Sequence, residues 1–271
     1  IDRTGMNTES HTACLRARNT GAASYAGSYF LSQGNGTGLE LLELCVPVIT
    51  GDQLHGFAVA TYILQNVLSD LVNESLRRHG GIWVDASSIL TRPLDWVLEQ
   101  QARTPAEFVG FYLERHTRDA AYPVVENWFM AAPPGSRLIA DWQHEFTTQV
   151  IHRTGHEYIA HLQSLGMYET VRQHIDAPDY LTMHMALQFI LRNRGGYRLA
   201  LARAEDGPFR YHVLGRWGRT PLKLRLLFSR ITGEVPPLIK LRAPDRKRLD
   251  EYLARGLYVP GSVAARYLMG E

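Results

Sequence analysis

From Arg78 to Ser87 the chain reads Arg-His-Gly-Gly-Ile-Trp-Val-Asp-Ala-Ser, and no other stretch constrains the fold as tightly. Leu68, Leu71, Val72 and Leu76 precede it at helical spacing, so a helix with one apolar face leads in. Ser69 or Asp70 can cap that helix at its start. Gly80-Gly81 ends it, because glycine tolerates the left-handed backbone of a helix stop. Ile82, Trp83 and Val84 then suit a short buried strand. Asp85 falls at the strand's carboxyl end. In open α/β sheets that is where ligands bind.

The rest of the chain alternates between strand-like and helix-like segments. Strands are expected over Leu39–Thr50, Glu107–Leu113 and Val124–Ala131, with Leu39–Leu44 open to a helical reading as well. Helices are expected over Phe57–Val67, Trp96–Gln101, Leu138–Arg153, Tyr158–Met167, Tyr180–Arg192 and Arg246–Leu253. Pro236–Leu241 reads as a short extended piece. Residues 1–38 are polar, and Gln33–Gly38 reads as a loop or linker without the ending of a P-loop. With no internal repeat and no obvious linker between domains, the alternation argues for one mixed α/β domain, a mixed sheet flanked by helices.

At 271 residues, a formal charge of +2 argues against an extended nucleic-acid surface, and no nucleic-acid partner is expected. Basic residues are nearly all arginine, the lysines being Lys223, Lys240 and Lys247. Cys14 and Cys45 leave open a disulfide or two reduced thiols. No run approaches the length of a membrane span. The expected compartment is the cytoplasm, with the Golgi lumen as alternative should the natural N-terminus carry an anchor. Peripheral membrane association stays open. Asn35-Gly-Thr and Asn73-Glu-Ser are glycosylation sequons and matter only in a secretory setting.

The order Ser69-Asp70, helix, Gly80-Gly81, Ile82-Trp83-Val84, Asp85-Ala86-Ser87 resembles the signature of GT-A glycosyltransferases of the capsular-polysaccharide-synthesis type. It is also similar to a group of mannosyltransferases and to the glucosylating toxins. The resemblance implies a GT-A-like fold. It implies transfer of a sugar from a nucleotide-diphosphate donor to an acceptor hydroxyl on a glycan or a small natural product, with retention of configuration. A nucleotide-sugar hydrolase, or a non-catalytic binding protein of the same fold, would use the same donor site.

Roles follow from the matched positions. Asp85 is expected to contact the ribose and donor sugar and to organise Mn²⁺ or Mg²⁺, which prefer hard oxygen ligands. Ser87 stands at the second acidic position and His212 lies beyond a Gly207-Pro208 loop; both are candidate metal ligands, His212 equally a plain loop residue. Asp70 matches a carboxylate that holds sugar hydroxyls, and a helix cap accounts for it too. Asn73 stands where relatives often carry arginine. Gly81 and Trp83 complete the donor side, with core filling an equal reading for Trp83. Glu126-Asn127-Trp128 resembles a Glu-Asn-aromatic segment facing the donor, with Asn127 on the sugar side. Tyr180–His184 resembles a helix on which His184 lines the acceptor side, or is a bonded core histidine. The strand with which relatives open, and which holds the nucleotide base, has no counterpart in residues 1–38.

Overall fold

The computed structural model describes residues 8–26, 29–32, 38–51, 53–63 and 75–271. Two compact units divide the chain, Ile1–Val72 and Asn73–Glu271. Ser69, Asp70, the sequon asparagines Asn35 and Asn73 and most of the Gln33–Gly38 loop lie outside the described residues.

In the first unit, helix α1 (Thr8–Thr20) precedes strands β1 (Ser24–Tyr25), β2 (Tyr29–Ser32), β3 (Gly38–Thr50) and β4 (Gln53–Ile63). β3 pairs antiparallel with all three other strands. The helix α1 thus stands in the polar segment 1–38, for which the residue pattern gives no helix. The helix expected over Phe57–Val67 is strand as far as Ile63. Phe57-Ala-Val-Ala-Thr-Tyr-Ile is apolar but for Thr61, its period cannot tell helix from strand, and pairing with β3 decides it. Cys14 and Cys45 form a disulfide that ties α1 to β3 and closes a small core with Ala13, Ala17 and Ala26.

The second unit holds the mixed sheet. Helix α2, described over residues 75–79, ends at Gly80, whose φ of +65° is the left-handed turn expected there. A Cβ on Gly80 would lie 2.6 Å from the backbone nitrogen of Pro134, so the turn also requires close approach. β5 (Gly81–Val84) follows, then β6 (Ser88–Leu90), α3 (Asp95–Arg103), β7 (Phe108–Tyr112) and β8 (Val125–Ala132). The helices α4 (Arg137–Glu145, continued by a π-helical turn Phe146–Val150), α5 (Gly155–Ser164), α6 (Tyr168–Arg172) and α7 (Thr182–Asn193) lead to β9 (Leu199–Arg203). The strand order is β5-β8-β7-β9, antiparallel except for the parallel β7–β9 pair.

The chain closes with α8 (Arg210–Leu214), α9 (Arg219–Phe228), β10 (Leu238–Lys240), α10 (Ala243–Arg246), α11 (Leu249–Ala254) and α12 (Val263–Leu268). β10 returns to β6, setting Lys240 opposite Ser88 and Ile239 opposite Ile89. Ile89, Ile239, Leu222 and Leu226 anchor one core, while Trp128, Phe129, Phe111 and Phe209 anchor another beside the sheet. Mixed α/β architecture with helices flanking a mixed sheet is what the alternation of segments predicted. Among the described residues no helix is long and apolar enough to cross a membrane.

Candidate functional site

The carboxyl ends of β5, β7 and β9 bring three acidic residues to one end of the sheet: Asp85, Glu114 and Glu205. Asp85 follows β5 directly, and its N–H donates to the Trp128 carbonyl at 2.8 Å, extending the ladder by one residue. Its Oδ1 accepts the Ser87 N–H at 3.0 Å, a tight turn that Asp forms readily. Its Oδ2 accepts a hydrogen bond from the Lys240 ammonium, which also donates to Ser87 Oγ. β10 holds the lysine there through the Lys240 N–H to Pro208 carbonyl bond at 3.1 Å and the Leu241 N–H to Ser87 carbonyl bond at 2.9 Å.

The pair is asymmetric. The Lys240 side chain is 9% exposed and that of Asp85 is 42% exposed. Burial pulls the Asp85 carboxyl up, but the Lys240 charge and the bonds from Lys240 and Ser87 leave it below the ordinary range. Burial lowers Lys240 too, and Asp85 only partly restores it, because the lysine is the more desolvated partner.

Behind this pair lies a buried polar group. Trp128, whose ring centroid is 5.7 Å from the Lys240 nitrogen, donates its indole N–H to Glu126. Glu126 is buried, and its carboxyl is pushed up to about 7 chiefly by desolvation, with Trp128 and Lys240 pulling back. His184 Nε2 stands 3.9 Å from Glu126 Oε1, beyond a hydrogen bond. Burial and the nearby His116 lower His184 to about 3, so it is neutral at physiological pH and the two form no ion pair. Asn127, between Glu126 and Trp128, is half-buried and donates from its amide to the Met183 sulfur at 3.3 Å, a weak acceptor.

A cationic wall adjoins the acidic end of the sheet. Glu205 is buried and accepts the N–H groups of Glu114 and Arg115 at 3.1 and 3.0 Å. The Arg115 guanidinium lies 4.7 Å over Trp217, and that of Arg242 lies 5.4 Å over the same ring. Trp217 is 5.4 Å from Phe209, which is in turn 5.7 Å from Trp128, so a chain of aromatic rings links the wall to the Asp85 pair.

Gly81 begins β5 with φ +114°, and Trp83 is half-buried on β5 opposite Met130. The three residues expected to hold a metal each have another partner. Asp85 and Ser87 meet on Lys240, while His212 is buried and bonds Asp245 at 2.9 Å, its ring edge-on to Phe209. His212 and Arg242, by hydrogen bonding and charge, outweigh burial and hold the Asp245 carboxyl well below its ordinary range. A hard divalent cation needs several oxygen ligands. Among the described residues no three His, Cys, Asp or Glu side chains converge to supply them. Among the described residues, the Lys240 ammonium already holds the Asp85 and Ser87 oxygens that the expected metal would need, so the donor set there does not fit it.

Lys240, Arg115, Glu205 and Trp217 were not singled out by sequence reasoning. Lys240 did leave a trace: a lysine within Leu-Ile-Lys-Leu is costly unless paired. What the trace lacked was the partner, which only the β6–β10 pairing reveals.

A family model described as capsular polysaccharide synthesis protein matches residues 58–214. The match includes Gly81, Asp85, Ser87, Glu126, Asn127, His184 and His212, and ends before Lys240. It supports the capsular part of the resemblance and adds nothing to the mannosyltransferase or toxin part. Comparison with curated proteins and with solved structures returned no match.

Proposed function

Because the chain belongs to the capsular polysaccharide synthesis protein family, we propose that it transfers a sugar from a nucleotide-diphosphate donor to an acceptor hydroxyl, in a crevice outside the carboxyl ends of β5, β7 and β9. The observation that carries this reading is Asp85, a carboxylate at the end of an apolar strand, ionised by its partner and still 42% exposed. Such a group can hold sugar or ribose hydroxyls with charge-assisted bonds. Arg115 offers a guanidinium to the anionic half of the donor, on a side chain 43% exposed. Asn127 is the second residue assigned to the sugar. Retention of configuration is the outcome that the resemblance favours.

The test is incubation with a panel of nucleotide sugars labelled in the sugar, with glycan and small-molecule acceptors. Label on an acceptor supports the reading. Label only in free sugar would make the protein a hydrolase, and donor binding without turnover would make it a binding protein.

A further inference from the structure

The donor's diphosphate is the most charged group a site of this kind must hold, and the departing phosphate oxygen gains charge as transfer proceeds. Something positive has to meet it. The residues expected to bring a divalent cation are otherwise engaged: Asp85 and Ser87 converge on the Lys240 ammonium, and His212 is bonded to Asp245. A metal bound by Asp85 and Ser87 would have to displace that ammonium.

An ammonium has three N–H donors. Lys240 uses one on Asp85 and one on Ser87, and the third has no hydrogen-bond acceptor among the described residues. With only 9% of its side chain exposed, the lysine has lost most of its water, which strengthens its attraction for an incoming anion. Two backbone bonds of β10 fix it in register, one of them to Pro208 of the Gly207-Pro208 loop.

We propose that Lys240 supplies, from within the chain, the positive charge that a divalent cation would otherwise bring to the donor diphosphate, so that donor binding needs no metal. This rests on the reading of the Asp85 crevice as a donor site. In the transfer step the bond from the anomeric carbon to the diphosphate oxygen breaks, its electron pair staying on that oxygen. The acceptor hydroxyl oxygen bonds to the anomeric carbon, and its proton ends on the released diphosphate. Lys240 donates a hydrogen bond to the departing diphosphate and stays protonated throughout. Asp85 and Ser87 position it.

The experiment measures binding of uridine and guanosine diphosphate to the full chain by calorimetry, with EDTA and with Mn²⁺. Wild type should bind one of them with equal affinity under both conditions. Lys240→Met, which keeps an unbranched stem of four atoms and lacks the ammonium, should weaken that binding at least roughly tenfold in EDTA. Lys240→Gln gives the same reading should the methionine variant fold poorly. Wild-type binding that requires Mn²⁺ would overturn the internal cation and leave the donor site standing. So would a folded Lys240→Met or Lys240→Gln variant that binds as tightly as wild type in EDTA. No binding of either diphosphate under any condition would overturn the donor reading itself, and this inference with it.

Discussion

Lys240 donates a hydrogen bond to Asp85 across 155 positions of sequence, from a strand beyond the matched family segment to the end of β5. The same ammonium holds Ser87, so the acidic signature and the C-terminal part of the chain form one polar unit. Its members answer to one another: whatever removes the carboxylate leaves a nearly buried ammonium behind.

Asp85→Asn should therefore do two things. Transfer should fall roughly a hundredfold or more, by analogy with loss of one preorganised charge-stabilising group. Stability should also fall, because Asn keeps the size of Asp but gives Lys240 a neutral partner. The exposure of Asp85 holds that loss to about 1 kcal/mol. Urea denaturation and turnover per folded molecule check the two effects separately. A folded variant with normal transfer would remove Asp85 from the site.

Much of the centre of the fold was legible. The Gly80-Gly81 turn, the β5 strand and the position of Asp85 follow from residue types within ten positions of one another. The short-range signal failed where long-range pairing decides. Phe57–Ile63 carries no period that separates strand from helix, and β3 settles it. Lys240 could be seen as anomalous but not as the partner of Asp85. His212 was legible as a histidine near a Gly-Pro loop, but not its bond to Asp245, which lies 33 positions on.

Gly80→Ala should damage the start of β5 more than an ordinary turn substitution would. Alanine is strained at φ +65°, and its Cβ would meet the Pro134 backbone at 2.6 Å, where no flexible side chain can yield. Strain and overpacking together should cost about 2–4 kcal/mol. Gly135→Ala is the control, since φ there is also positive but a Cβ would meet nothing within 4 Å. Equal losses in the two variants would show that the close approach to Pro134 carries no weight.

Reduction should loosen the first unit. Cys14 and Cys45 are separated by 31 residues, and a cross-link of that span restricts the unfolded chain by about 3–4 kcal/mol. Limited proteolysis with and without reductant, mapped by mass spectrometry, should show new cuts within residues 8–63 of the reduced protein. A disulfide of this kind persists in oxidising compartments, so thiol alkylation of freshly lysed cells reports where the chain resides. Identical digestion patterns would mean that the cross-link adds nothing to the unit.

Stability against pH should expose Glu126 and His184 as opposing terms. Glu126 is raised from 4.5 to about 7, so the folded state binds its proton more tightly than the unfolded state does. The stability it contributes is fully present below pH 4.5 and is lost as pH rises through 7, a fall of roughly 3 kcal/mol at 1.36 kcal/mol per unit. His184 is lowered from 6.5 to about 3, so its contribution is present above pH 6.5 and is lost as pH falls through 3. Between pH 4.5 and 6.5 the two slopes have opposite sign and largely cancel. Glu126→Gln keeps an acceptor for the Trp128 indole but does not titrate. Its stability relative to wild type should rise steadily from pH 4.5 to 7, whereas that of His184→Gln should fall from pH 3 to 6.5. Urea denaturation across that range reads both differences directly. A Glu126→Gln curve parallel to wild type would show that Glu126 is already ionised in the folded protein, and that its burial against Trp128 leaves its charge undisturbed.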